Sequence, residues 1–131
     1  MTLGRAGRSL DDLLSGLKPD TEDDRFVAMA AITASELLVG VLRADSESRR
    51  ATRSEFVEQV IRRVTVLSFD LASARVHARV WAALSGSGET IGPSDLMIAA
   101  TAITYGHAVL TENVREFQRV RGLDVRRPNW S

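Results

Sequence analysis

The residues of this chain that could do chemistry are acids. Glu36 follows an apolar run at 26–32, and Asp95 stands alone in the apolar stretch IGPSDLMIAAT at 91–101. Glu112, Asn113 and Glu116 follow a second short apolar run at 107–110. The chain has no cysteine, which removes thiolate nucleophiles, thiolate metal sites and disulfides. His77 and His107 are not joined by the HExxH spacing of a zinc helix, and each reads as a surface or satisfied histidine. The glycine-rich segment SGSGETIGP at 85–93 misses the G-x-G-x-x-G spacing and follows a helix instead of a strand, so it is no dinucleotide fingerprint. What remains is carboxylate chemistry.

Two of these acids also have a purely structural reading. An acid in the first turn of a helix complements the macrodipole, which alone would account for Asp95. Thr33-Ala34-Ser35-Glu36 is an S/T-x-x-E pattern, and a capping box would send the Glu36 side chain back to the Thr33 backbone.

The elements that must position the acids follow from periodicity. Residues 1–8 read as a disordered start, and Ser9 caps a short helix carrying Leu10, Leu13, Leu14 and Leu17. The polar turn KPDTEDDR at 18–25 leads into FVAMAAI at 26–32, a continuous apolar run of the kind found in strands buried on both faces. A helix then starts at Thr33, and a second one carries Phe56, Val57, Val60, Ile61 and Val64 as one apolar stripe. VTVLSF at 64–69 is a strand ending at Asp70, which can cap the next helix. That helix carries Leu71, Ala74, Ala78, Trp81 and Leu84 on one face, with Trp81 as a core filler.

Gly92 or Ser94 caps the Asp95 helix, whose unbroken apolar character marks it as buried, and Tyr105-Gly106 ends it. A strand at 107–110, a short helix at 114–120 and an edge strand at 123–125 complete the chain. Alternating strands and helices imply a parallel sheet with helices on both faces. Ligands collect at the carboxyl ends of such strands, which is where Glu36, Glu112, Asn113 and Glu116 fall. A crossover helix runs antiparallel to its strand, so the Asp95 end also faces that edge.

At 131 residues, 44% hydrophobic and 26% charged, the chain is one soluble-type domain, 1–131, with no run near the ~18 apolar residues of a membrane span. The absence of a signal peptide points to the cytoplasm. Zero formal net charge excludes a globally basic nucleic-acid binder, so any such contact is local. Arg43, Arg49 and Arg115 are available to phosphates or an acidic partner, although solvation of helix faces also accounts for them.

Taken together, ITASELLVG at 32–40, IGPSDLMIAATAITYGHAVLTENVREF at 91–117 and GLDV at 122–125 resemble the PIN-domain ribonucleases, specifically the VapC-type toxins of bacterial toxin–antitoxin pairs. The resemblance runs in order from about Phe26 to Trp130. It implies a PIN-like three-layer α/β/α domain with a parallel sheet and an Mg2+- or Mn2+-dependent endoribonuclease. Glu36 and Asp95 match the second and third acids of the family's pocket and would be metal ligands. Asn113 and Glu116 are both candidates for the fourth position. The implied partners are an RNA substrate such as tRNA or rRNA, a cognate antitoxin and a second copy of the chain.

One family feature is missing from the match. Members open with an apolar central strand ending in the first metal-binding acid, whereas GRAGRSLDDLLSGL at 4–17 resembles the segment immediately after that strand. By ordinary strand length the chain is expected to begin about a dozen residues late. A truncated or catalytically inert module that still binds an antitoxin is therefore the alternative. A receiver-like signalling domain would need a lysine beyond a late strand, and Lys18 is the only lysine.

Overall fold

The computed structural model describes residues 28–127. Within them the order is β1 (Ala28–Ala30), α1 (Ala31–Leu42), α2 (Glu47–Arg63), β2 (Thr65–Leu67), α3 (Leu71–Gly86), α4 (Pro93–Tyr105), β3 (Val109–Leu110), α5 (Val114–Phe117) and β4 (Val125–Arg126). The expected disordered start and the Ser9–Leu17 helix lie outside the described residues.

The strands pair in parallel, as alternation with helices requires. β1 lies on β2 with Met29 opposite Val66, and β3 lies on β4 with Val109 opposite Val125. Among the described residues these are two separate two-stranded ladders, where a single sheet was expected.

α4 is the element the rest packs around. Leu96, Ile98, Ala99, Ala100, Thr101 and Ala102 are all buried, so the helix is covered on nearly every side. Its main partner is α3, and it also touches α1, β1 and β3. Ala99 and Ala100 are fully buried and small, which lets neighbouring backbones approach closely. Two hydroxyls in this apolar setting bond back to their own helix, Thr101 to the Met97 carbonyl at 2.8 Å and Thr104 to that of Ala100 at 2.7 Å. Pro93 occupies the first turn, where its missing N–H costs nothing. Gly106 ends the helix at φ 72°, a left-handed conformation that glycine adopts without a Cβ penalty. The stripe read on α2 does face inward: Val57, Val60 and Val64 are buried, and Val60 and Val64 share a cluster with Met29 and Ala34, flanked by Phe56 and Ile61.

Three expectations are corrected. The strand at 26–32 gives way to helix already at Ala31, because alanine is the best helix former and the apolar run is alanine-rich. Thr33 therefore lies inside the first turn and not at the cap, which is Ala30, and the capping box with Glu36 does not form. On α3 the buried positions are Ser73 and Leu84, with Val80 packed against the core cluster that holds Leu84, while Leu71 and Trp81 are 67% and 59% exposed. A long amphipathic helix can offer two apolar stripes. The one that opposes the small residues of α4 is buried, and Trp81 is no core filler.

At the other end, Asp70 caps α3 by accepting from the Ser73 N–H at 2.9 Å, as read from the sequence. The Tyr105 hydroxyl donates to the same carboxylate at 2.8 Å, tying the end of α4 to the start of α3. These bonds, led by the Ser73 N–H, hold Asp70 below the usual carboxylate range. Among the described residues no helix is long and apolar enough to cross a membrane.

Candidate functional site

Gly92 is the N-cap of α4, with Pro93, Ser94 and Asp95 forming the first turn. The strap before it, Thr90 to Gly92, passes over α5. That four-residue helix is held in place by Phe117, 1% exposed in the main core. Burial of Phe117 turns its neighbour Glu116 toward the strap. Glu116 Oε1 accepts from the Gly92 N–H at 2.6 Å, and its Oε2 accepts from Asn113 Nδ2 at 2.5 Å. A helix N-terminus leaves backbone donors without partners, and here a carboxylate from a remote segment takes the donor at the cap. Asn113 is itself held by the buried Thr111, whose Oγ1 accepts from the Asn113 backbone N–H at 3.0 Å.

Asp95 lies beside this carboxylate. A Cβ placed on Gly92 would sit 3.5 Å from Glu116 Oε1 and 3.8 Å from Asp95 Oδ2. With the two carboxyl groups this close, a proton on one of them relieves their mutual repulsion. That proton belongs to Asp95, because both Glu116 oxygens already accept N–H donors and so favour the charged form. Burial, then the bond to Glu116, then its charge push Asp95 up to about 6, with a weaker contribution from the charge of Glu36. Glu116 moves the opposite way, held low chiefly by the Gly92 N–H.

The four residues singled out in the sequence are thus brought together unequally. Asn113 and Glu116 are hydrogen-bonded to each other, and Asp95 lies beside Glu116. Glu36 is exposed on α1 and acts on Asp95 through its charge. Among the described residues no three acid, histidine or cysteine side chains are grouped closely enough to hold a metal ion. Of the two candidates for the fourth position, Glu116 touches Asp95 and Asn113 orients Glu116.

Sequence reasoning missed the Gly92 N–H, Thr111 and Arg119. Thr111-x-Asn113 has the spacing of a hydroxyl turn, which could have been read. Arg119 Nη1 donates to the Thr90 carbonyl at 2.7 Å, and only the three-residue spacing from Glu116 hinted that both face the same strap.

The PIN domain family matches residues 9–123 of the chain. The ribonuclease VapC1 of Rickettsia felis is 40% identical over 97 residues, covering 74% of this chain and 72% of the relative. The tRNA(fMet)-specific endonuclease VapC of Shigella flexneri is 32% identical over 120 residues, covering 87% of each. Among solved structures, VapBC-5 of Mycobacterium tuberculosis, a member of the VapBC family of toxin–antitoxin systems, superimposes with a TM-score of 0.71 at 30% identity. The superposition covers 86% of this chain and 93% of that one.

Proposed function

The chain belongs to the PIN-domain family, with VapC ribonucleases among its relatives, and on that premise we propose that it is a divalent-metal-dependent endoribonuclease, the toxin of a toxin–antitoxin pair. The observation that carries the reading is the Asp95–Glu116 pair, two carboxyl groups side by side at the N-terminus of α4, whose repulsion a cation would relieve. An all-oxygen donor set with one or two carboxylates suits Mg2+ or Mn2+, which keep several waters and accept substrate phosphate as well.

Asp95 and Glu36 would hold the cation, which when bound would supply Lewis-acid stabilisation of phosphoryl oxygens and activation of the attacking water. As a ligand Asp95 would be ionised, so a divalent cation would stand where a single proton relieves the pair in its absence. Glu116 cannot swing away, since Gly92 and Asn113 hold its two oxygens. Its fixed charge keeps the negative potential at Asp95, while the positive end of α4 steadies the Asp95 carboxylate. The acids alone would repel RNA, and a bound cation inverts that local charge. Accessible backbone in single-stranded loops of structured RNA, tRNA or rRNA among them, is the substrate this chemistry suits. A cognate antitoxin and a second copy of the chain are the proposed protein partners, and the cytoplasm is the proposed location.

A second reading, an inert module that binds an antitoxin without cutting RNA, is favoured by the lack of a third clustered ligand among the described residues. The two part on one experiment. The purified chain is titrated with Mn2+ and assayed on a labelled tRNA with Mg2+ or with EDTA, beside Asp95→Ala. Asp95-dependent binding and EDTA-sensitive cleavage are expected of the nuclease. No Asp95-dependent binding and no cleavage with Mg2+ would leave the inert module, and cleavage indifferent to Asp95 would overturn both readings.

A further inference from the structure

The strap that carries the N-cap of the Asp95 helix is held at two points by one turn of chain. Glu116 takes the Gly92 N–H at 2.6 Å, and Arg119 gives a hydrogen bond to the Thr90 carbonyl at 2.7 Å. The Arg119 backbone N–H in turn donates to the Glu116 carbonyl at 3.2 Å, so both side chains leave the same helical turn toward the same strap. Upstream, the strap's nearest backbone anchor is the Glu89 N–H on the Leu84 carbonyl at 2.9 Å, back on α3.

We propose that Arg119 is a positioning residue: by gripping the Thr90 carbonyl it sets where Gly92 meets Glu116, and thereby how Asp95 stands against Glu116, without touching Asp95 itself. A guanidinium is suited to this, because its planar fork can bond a carbonyl at one nitrogen while its charge lies near a carboxylate. The charge of Arg119 does act on Glu116. Loss of the grip frees the Thr90–Gly92 strap, lengthens the Gly92–Glu116 bond and leaves the pair without a defined geometry. In its consequence for metal binding the inference rests on the nuclease reading, but in its consequence for the strap it does not.

Two measurements on the full chain test it, with Arg119→Ala and Arg119→Lys beside the parent. The first is amide hydrogen exchange in EDTA, read residue by residue. Arg119→Ala should speed exchange at the Gly92 N–H about tenfold while leaving Ala99 and Ala100 in the core unchanged, and Arg119→Lys, which can still reach one carbonyl, should restore much of the protection. The second is the affinity for Mn2+ by calorimetry, where removing a partner outside the ligand set typically costs 10- to 100-fold. Unchanged Gly92 exchange in Arg119→Ala overturns the inference whatever the metal does. Faster exchange with Mn2+ affinity within twofold of an Asp95-dependent parent overturns the link to the site. A parent with no Asp95-dependent Mn2+ site overturns the nuclease reading instead, while Gly92 exchange still decides whether Arg119 holds the strap. Loss of core protection in both variants, with Lys giving no rescue, would mark a general folding role and count against it.

Discussion

The Glu116 carboxylate accepts the Gly92 N–H at 2.6 Å across 24 residues of sequence, and by that bond α5 caps the helix that carries Asp95. One side chain therefore serves as a helix cap and as the negative neighbour that helps push Asp95 up to about 6. The two roles separate in variants.

Glu116→Gln keeps an amide oxygen for the Gly92 N–H and removes the charge. Asp95 should then titrate nearer the ordinary carboxylate range, with little change in melting temperature. Glu116→Ala removes the cap as well and should cost about 1 kcal/mol, in the range of lost N-caps. Carboxyl NMR titration of Asp95 and urea unfolding of both variants check this.

The shift of Asp95 fixes a sign for stability against pH. Its folded value, about 6, lies above the ordinary 3.8, so the protein holds a proton that the unfolded chain has lost. The contribution is complete below the unfolded value and disappears as pH rises through about 6. Asp95 is partly open to solvent, so the loss should be on the order of 1 kcal/mol, well short of the unscreened value. Glu116, held low, opposes it only in more acid solution, where its stabilisation is lost as pH falls. In EDTA, the melting temperature of Asp95→Asn minus that of the parent should rise between pH 4 and pH 6.5 and then level off. A flat difference would show that the pair shares no proton.

Metal should reverse that effect. At pH 7.5, Mg2+ or Mn2+ at a hundred times its dissociation constant should stabilise the parent by about 2.7 kcal/mol through mass action, and Asp95→Asn by almost nothing. Thermal melts with and without the cation, followed by excess EDTA, measure it. Cleavage of labelled RNA should fall below detection in Asp95→Asn even though the metal-free variant melts no lower than the parent at neutral pH.

Phe117 is 1% exposed and holds the short helix on which Glu116 is mounted. Phe117→Ala should cost about 3–5 kcal/mol, a large part of the total stability of a domain this size. Urea unfolding should show that loss as a lowered midpoint.

Trp81, by contrast, is 59% exposed, with its ring edge-on to His77 at 5.7 Å between centroids. Trp81→Ser should change the unfolding free energy by less than about 1 kcal/mol. A core-sized loss would restore the inward-facing role that its helical spacing suggested.

Local patterns in the chain were readable wherever neighbouring residues decide the outcome. The stop at Gly106 needs only a residue at ease in the left-handed region, and the Asp70 cap needs only a carboxylate three residues ahead of the Ser73 N–H. The buried character of α4 is also plain from its composition, because a helix apolar on all sides has no face to offer water. Where two local solutions compete, the sequence is ambiguous. Ala31 and Ile32 can end a strand or begin a helix, and α3 can bury either of two stripes. Such choices turn on what lies opposite, which neighbouring residues do not record.

The sequence by itself determined the family and the parallel α/β class and singled out the acids as candidates, since these rest on residue types at fixed short spacings. Tertiary structure alone decided that Glu116 lies against Asp95, that the charge of Glu36 is felt there, and that Arg119 bonds the Thr90 carbonyl of the strap. The reason is physical: hydrogen bonds hold over about 3 Å and with strict direction, so which of several nearby polar groups makes contact is settled by how Phe117 and α4 pack, and not by order along the chain.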